Sequence, residues 1–134
     1  MRVVLDTNVL VSALLNPGRT PDLALEAARR ASVAVLVDDR IEAEYREVLS
    51  RAKFKKIDPS QRDALLSATL SGAERIAVTD PFTGALIDAD DRVFVEVALA
   101  GRADALVTGN TKHYPTDAGF EVLTPAALLA RLTG

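Results

Sequence analysis

The chain has 134 residues, 49% hydrophobic and 26% charged, with no cysteine and a formal net charge of −3. These values fit one domain with an ordinary core and exclude a disordered chain, a disulfide scaffold and thiolate-bound zinc. The negative balance means that phosphate binding must come from a local basic patch or a bound cation. No apolar run is long enough to span a bilayer. Asp6 and Asn8 interrupt the first apolar run, so no signal peptide is expected, and a reducing cytoplasm is the expected compartment.

Val3 to Leu5 reads as a buried strand, since β-branched residues pack well on a pleated surface. Val9, Leu10, Ala13 and Leu14 follow at helical spacing. Asp6 therefore closes a core strand and opens a helix. It is either a cap for that helix or a ligand-binding group at the carboxyl end of the sheet, and taken alone the cap is the simpler reading. Asn16-Pro17-Gly18 is a turn, and Thr20, with Pro21 behind it, is expected to cap a second helix with Leu23, Ala27 and Ala31 as its apolar stripe. Val33 to Val37 is a second strand, and Asp38 or Asp39 caps a third helix running to about Arg51. Its apolar face is Ile41, Tyr45, Val48, Leu49 and Ala52. At about 100° per residue Glu47 lies opposite that face, while Glu42 and Glu44 flank it. Asp58-Pro59-Ser60 starts a fourth helix, ended by Gly72. Arg75 to Val78 is a short strand, Asp80 to Ala89 a loop, and Asp90 or Asp91 opens a helix closed at Gly101. Asp104 to Val107 is a strand leading into Thr108-Gly109-Asn110, Glu121 to Leu123 is the last strand, and Pro125 starts a terminal helix.

Strand and helix in alternation predict a three-layer α/β/α sandwich on a central parallel sheet, with right-handed crossovers and Rossmann-like topology. Asp6, the Asp90 helix start and Asn110 then meet at the carboxyl edge of the sheet. Asp88, Asp90 and Asp91 put three acids in four residues, more than a helix start needs, and they repel unless Arg92 or a cation neutralises them. With one histidine and no cysteine, the donor set suits Mg²⁺ or Mn²⁺. Two alternatives fail on single positions. A haloacid-dehalogenase-like phosphatase needs an acid where Asn8 stands, and no glycine-rich phosphate cradle follows the first strand.

Four segments in order resemble the PIN domain family across essentially the whole chain. They are Val4-Leu-Asp-Thr-Asn-Val-Leu-Val-Ser-Ala13, Glu44-Tyr-Arg-Glu-Val-Leu-Ser-Arg51 with Lys53-Phe54, Asp88-Ala-Asp-Asp91 leading to Ala98-Leu-Ala-Gly101, and Leu106-Val-Thr-Gly-Asn110. The resemblance implies a PIN-like domain over residues 1–134 and a metal-dependent endoribonuclease, the toxin of a toxin–antitoxin pair. It implies metal-site acids at Asp6, Glu44 and Asp91, which decides between Glu42 and Glu44. The fourth motif usually ends in an acid, and here Asn110 completes the expected catalytic set. Asn110 is also the one feature favouring a non-catalytic PIN-fold module that binds RNA or protein.

Around this set, Asn8, Thr108 and Asp88 are expected to support the acids. Arg46, Arg51 and Lys53, with Lys55 and Lys56, and the pair Lys112-His113 are expected to meet RNA phosphates. His113 is also a candidate general acid. An RNA substrate, an antitoxin partner and a homodimer are the expected associations. Neutralising Asp6 or Asp91 is expected to stop cleavage and to relieve repulsion in the metal-free pocket.

Overall fold

Val3, Val4 and Leu5 are almost wholly buried and form the middle of a five-stranded parallel sheet. The computed structural model describes all 134 residues except the side chain of Ala52, so the expected place of Ala52 on a helix face lies outside the described residues. The strands are β1 (Arg2–Leu5), β2 (Ala34–Val37), β3 (Glu74–Arg75), β4 (Ala105–Val107) and β5 (Glu121–Leu123), ordered β3-β2-β1-β4-β5. Six helices flank the sheet: α1 (Thr7–Leu15), α2 (Thr20–Arg30), α3 (Asp39–Leu49), α4 (Pro59–Ser71), α5 (Arg92–Ala100) and α6 (Pro125–Thr133). This is the expected α/β sandwich. Parallel strands joined through helices are buried on both faces, which is why β1 and β4 read as unbroken apolar runs. No helix is long and apolar enough to cross a membrane among the described residues.

Several element ends differ from expectation. The second helix begins at Thr20 itself, with Arg19 at the cap position and no side-chain cap bond. The turn before it, with Gly18 at φ +77, instead sends its Gly18 N–H to the Asp22 carboxylate at 2.8 Å. The buried stripe of α2 is Ala24, Leu25 and Ala28, whereas Leu23 is exposed. Small residues four apart let α2 approach its neighbours closely, and this places Leu25 rather than Leu23 inward. The third strand is only Glu74–Arg75. Ile76 still donates its N–H to Val37 O at 2.9 Å, after which the chain leaves the sheet. Asp38, Asp58 and Thr124 cap α3, α4 and α6 through bonds to the N–H groups of Ile41, Ser60 and Ala127.

The register of β1 and β4 positions the site. Leu5 lies beside Val107, so Asp6 and Thr108, the next residue of each strand, are neighbours. The Asp6 N–H continues the ladder to Val107 O at 2.9 Å, and the Thr108 N–H does the same to Leu123 O at 2.9 Å. Tyr45 on α3, fully buried and stacked on Phe94 of α5, donates its hydroxyl to Leu5 O at 2.6 Å. That bond ties α3 to the end of β1 and brings Glu44, one residue before Tyr45, to the same edge.

Candidate active site

Asp6 answers to both readings of its position. Its Oδ1 accepts the Asn8 N–H at 3.2 Å and so caps α1. Its Oδ2 accepts two hydroxyls, Thr108 Oγ1 at 2.9 Å and Tyr114 at 2.8 Å. A carboxylate offers about four lone-pair sites, so about one is left, on Oδ1. Thr108, wholly buried, is the hub beneath it. Besides donating to Asp6, its oxygen accepts from Asn8 Nδ2 at 3.3 Å and from the Asn110 N–H at 3.0 Å. Asn8 Oδ1 in turn accepts the Gly109 N–H at 3.1 Å. Asn8 and Thr108 thus lock the first helix turn to the turn after β4.

Asp91 behaves differently. It occupies the cap position of α5, yet its carboxylate bonds none of the helix N–H groups. Asp88 does the local capping, accepting the Asp90 N–H at 2.9 Å across the short helical turn Ala89–Asp91. Asp91 is 8% exposed, and its Oδ2 is buried with no hydrogen-bond partner. Burial, then the charges of Asp6 and Asp88, push its carboxyl up to about 6, although Tyr114 and His113 pull the other way. A helix-start acid with an orphaned buried oxygen is not explained by capping.

Glu44 is half-buried and accepts the Thr7 hydroxyl on Oε2, leaving Oε1 free. Burial raises its pKa, as do the charges of Asp6, Asp90 and Asp91, against the lowering effect of Thr7. Three carboxyls from β1, α3 and the α5 turn therefore feel one another's charge. Glu42, the rival acid on α3, is taken elsewhere: it bonds Arg75 and, at 3.1 Å, Arg46, and both hold its carboxyl below the ordinary range.

The other expected residues divide into two groups. The Asn110 side chain is exposed and makes no cap bond, and only its backbone N–H joins the Thr108 network. The His113 ring turns toward the acids, with Nδ1 3.4 Å from Asp91 Oδ2. Arg51 is held by Glu47 through bonds of 3.1 and 2.9 Å, yet its charge also feels Glu44 and Asp90, which sets it on the rim. Lys53, its ammonium 5.1 Å from the Phe54 ring centroid, and Lys112 are exposed. Arg46 is not brought to the acids but is engaged by Glu42 near Arg75.

A family model described as a PIN domain matches residues 2–112. The chain belongs to that family. No curated protein matches it. Among solved structures this PIN domain is similar to VapBC2 from Rickettsia felis, solved bound to a DNA fragment from its promoter, at 23% identity and a TM-score of 0.65. That match covers 92% of this chain and 98% of the other. It is also similar to VapBC-1 from nontypeable Haemophilus influenzae, at 16% identity and a TM-score of 0.60, covering 93% and 98% of the two chains. At these identities the likeness is one of fold.

A divalent cation suits what this PIN domain presents. The orphaned Asp91 Oδ2, the remaining lone pair on Asp6 Oδ1 and the free Oε1 of Glu44 are hard oxygen donors, the kind Mg²⁺ and Mn²⁺ select. Among the described residues, the group whose ligand atoms all lie within 4.8 Å of one another is Asp88, Asp91 and His113, and it does not include Asp6 or Glu44. Beside this crevice a cavity of about 770 Å³ is lined by Asp38, Asp39, Arg40, Arg75 and Glu96. Its charges neutralise one another: Arg40 pairs with Asp38 at 2.8 Å and with Glu96 at 2.7 Å, and Arg75 pairs with Asp39 at 3.3 Å. The Arg40–Glu96 pair serves instead to anchor the loop before Asp91. Burial pushes Glu96 up, but Arg40 and the Phe82 N–H outweigh it and keep the carboxyl ionised. Arg92 then bonds Phe82 O and stacks on the Phe82 ring.

Sequence reading missed Tyr114, Thr7 and Glu96. Tyr114 sits in a turn-rich stretch where an aromatic residue reads as loose core, and nothing local indicates that its hydroxyl meets Asp6. Burial and the neighbouring acids keep that phenol protonated well above its ordinary range, so it acts as a fixed donor. Tyr114→Phe is expected to cost about 1–2 kcal/mol of stability and to weaken Mn²⁺ binding by about tenfold, as removal of an outer-shell bond does. Scanning calorimetry and a Mn²⁺ titration measure the two effects. Unchanged metal affinity would remove Tyr114 from the site.

Proposed function

We propose that this PIN domain is a metal-dependent endoribonuclease that hydrolyses RNA phosphodiester bonds and acts as the toxin of a toxin–antitoxin pair. The observation that carries the reading is Asp91, a buried carboxylate with an unpartnered oxygen and a raised pKa that faces Asp6 and Glu44. Such strain at a sheet's carboxyl edge marks a functional site more than a structural one. Asp6, Asp91 and Glu44 would hold Mg²⁺ or Mn²⁺. Such an ion, when bound, supplies charge for the phosphate oxygens and acidity for an attacking water.

The chain's own groups do the rest. Thr108, Tyr114 and Asn8 hold Asp6 in one orientation. Thr7 fixes Glu44 by Oε2, which leaves Oε1 without a hydrogen-bond partner and available to the ion. Arg51 on the rim, together with the exposed Lys53 and Lys112, would contact flanking phosphates, and the sequence-independent charge they supply suits a polymer substrate. The antitoxin partner is inferred from the VapBC assemblies of similar fold. A cytoplasmic location and a homodimer complete the proposal.

Asn110 supports a second reading, a PIN fold that binds RNA without cutting it. One experiment separates the two: RNA incubated with the purified protein in Mn²⁺, in Mg²⁺ and in EDTA. The expected result is internal cleavage in either metal and none in EDTA. Glu47→Gln, which alters a solvated carboxylate, is expected to cleave at the parental rate. Binding without cleavage in any metal would select the non-catalytic reading. Controlled expression tests the toxin role, with growth arrest expected for the parent and not for Asp91→Asn.

A further inference from the structure

Asp88, Asp91 and His113 lie on two short helical turns, Ala89–Asp91 with its cap and Thr111–His113, which meet beside Asp6. The second turn is braced by the His113 N–H, which donates to Asn110 O at 3.0 Å. Asn110 thus sets the position of the turn that carries the ring, while adding no charge itself. The ring points inward, and one ligand atom from each of the three side chains lies within 4.8 Å of the others.

Two features indicate that this is more than an ion pair. A charged N–H to carboxylate bond is about 2.7–2.9 Å long. The His113 Nδ1 to Asp91 Oδ2 separation is 3.4 Å, and the oxygen, though buried, remains without a hydrogen-bond partner. Two adjacent donors about 2.1 Å from one octahedral ion stand about 3.0 Å apart, so these two atoms need to approach by only about 0.4 Å to share one. Asp88 spends one oxygen on the Asp90 N–H and keeps the other free. Imidazole nitrogen is a ligand for transition metals, with Mn²⁺ at the weak end of that series, whereas Mg²⁺ keeps to oxygen donors and water, so a nitrogen donor shifts the balance from Mg²⁺ toward Mn²⁺.

We propose that His113 is a direct ligand of the site's cation through Nδ1, with Asp91 and Asp88, and that this mixed nitrogen–oxygen set makes the site prefer Mn²⁺ to Mg²⁺. The proposal rests on the reading above that the acidic crevice binds a divalent ion. In it, His113 supplies, beside Asp91 and Asp88, a donor that Asn110 at the end of the fourth motif does not supply as an acid.

Pulsed electron paramagnetic resonance on the untagged, Mn²⁺-loaded protein tests this directly. The chain has one histidine, so a nitrogen coupling from coordinated imidazole identifies His113 without ambiguity. The expected result is a nitrogen signal in the parent that is lost in His113→Gln. Titrations of the same two proteins should show Mn²⁺ affinity falling about tenfold in the variant and Mg²⁺ affinity changing by less than about threefold. Mn²⁺ binding that depends on Asp91 but shows no nitrogen coupling would overturn the proposal and leave the metal-site reading standing. Absence of any Asp91-dependent binding of either ion would overturn both.

Discussion

Asp91→Asn is expected to reduce RNA cleavage at least about 100-fold and yet to raise the melting temperature of the metal-free protein by roughly 3–8 °C at about pH 7.5. The two effects have one cause. Burial and the charges of Asp6 and Asp88 push the Asp91 carboxyl from 3.8 up to about 6. An acid whose pKa is higher in the folded state binds its proton more tightly there than in the unfolded chain. Its contribution is therefore most favourable below about pH 4, is lost as pH rises toward about 6, and is a full penalty above that. A rise of this size corresponds to at most about 3 kcal/mol, and the open side of the crevice screens it to about 1–2 kcal/mol. Asparagine removes the charge. Scanning calorimetry in EDTA should then show the variant above the parent at about pH 7.5, the gap shrinking as pH falls below about 6 and closing near about pH 4. Saturating Mn²⁺ should invert the order, since a ligand at about 100 times its dissociation constant adds about 2.7 kcal/mol to the parent alone. A gap independent of pH, or a variant that gains as much from Mn²⁺ as the parent does, would show that Asp91 is not the strained metal-binding acid.

Much of the architecture was legible because strand and helix signals are local. Val3 to Leu5, the Asp38, Asp58 and Pro125 starts and the Gly72 and Gly101 ends all depend on residues within a turn or two. Where two apolar sets overlapped, as with Leu23 and Leu25 on α2, periodicity chose the wrong one, because the alanines that decide the packing contribute little to an apolar stripe. Helix geometry also left Glu42 and Glu44 equivalent. The structure separates them through a residue on another element, Arg75, which captures Glu42. The same limit hid Thr7 and Tyr114. Their hydroxyls meet Glu44 and Asp6 across 37 and 108 residues, and no spacing rule reports contacts of that range. The acids themselves were visible because carboxylates crowded at strand ends are conspicuous. The neutral groups that orient them were less visible, because hydroxyls and amides are common everywhere.

Asp6→Asn is expected to end cleavage as Asp91→Asn does, but to shift stability the opposite way, lowering it by about 1–3 kcal/mol. Sequence alone suggested that neutralising either acid would relieve repulsion, and the hydrogen bonds around Asp6 reverse that expectation for one of them. Thr108 Oγ1 already accepts from Asn8 Nδ2 and from the Asn110 N–H, so both its lone pairs are used and its hydrogen must go to Asp6 Oδ2. If the amide nitrogen of an asparagine replaces Oδ2, an N–H group faces the Thr108 hydrogen and the Tyr114 hydroxyl loses its acceptor. If the amide is turned round, its oxygen serves both hydroxyls, but its NH₂ group then faces the Asn8 N–H and the α1 cap is lost. Neither orientation satisfies every donor, and a buried unsatisfied donor costs about 1–3 kcal/mol. Tyr114→Phe removes one of the competing donors, so in its background the same substitution should cost less, by about 1 kcal/mol. Urea denaturation of the parent, the two single variants and the double variant measures this coupling. A lone Asp6→Asn variant as stable as the parent in EDTA, or an uncoupled double variant, would show that Asp6 is not held by the bonds described.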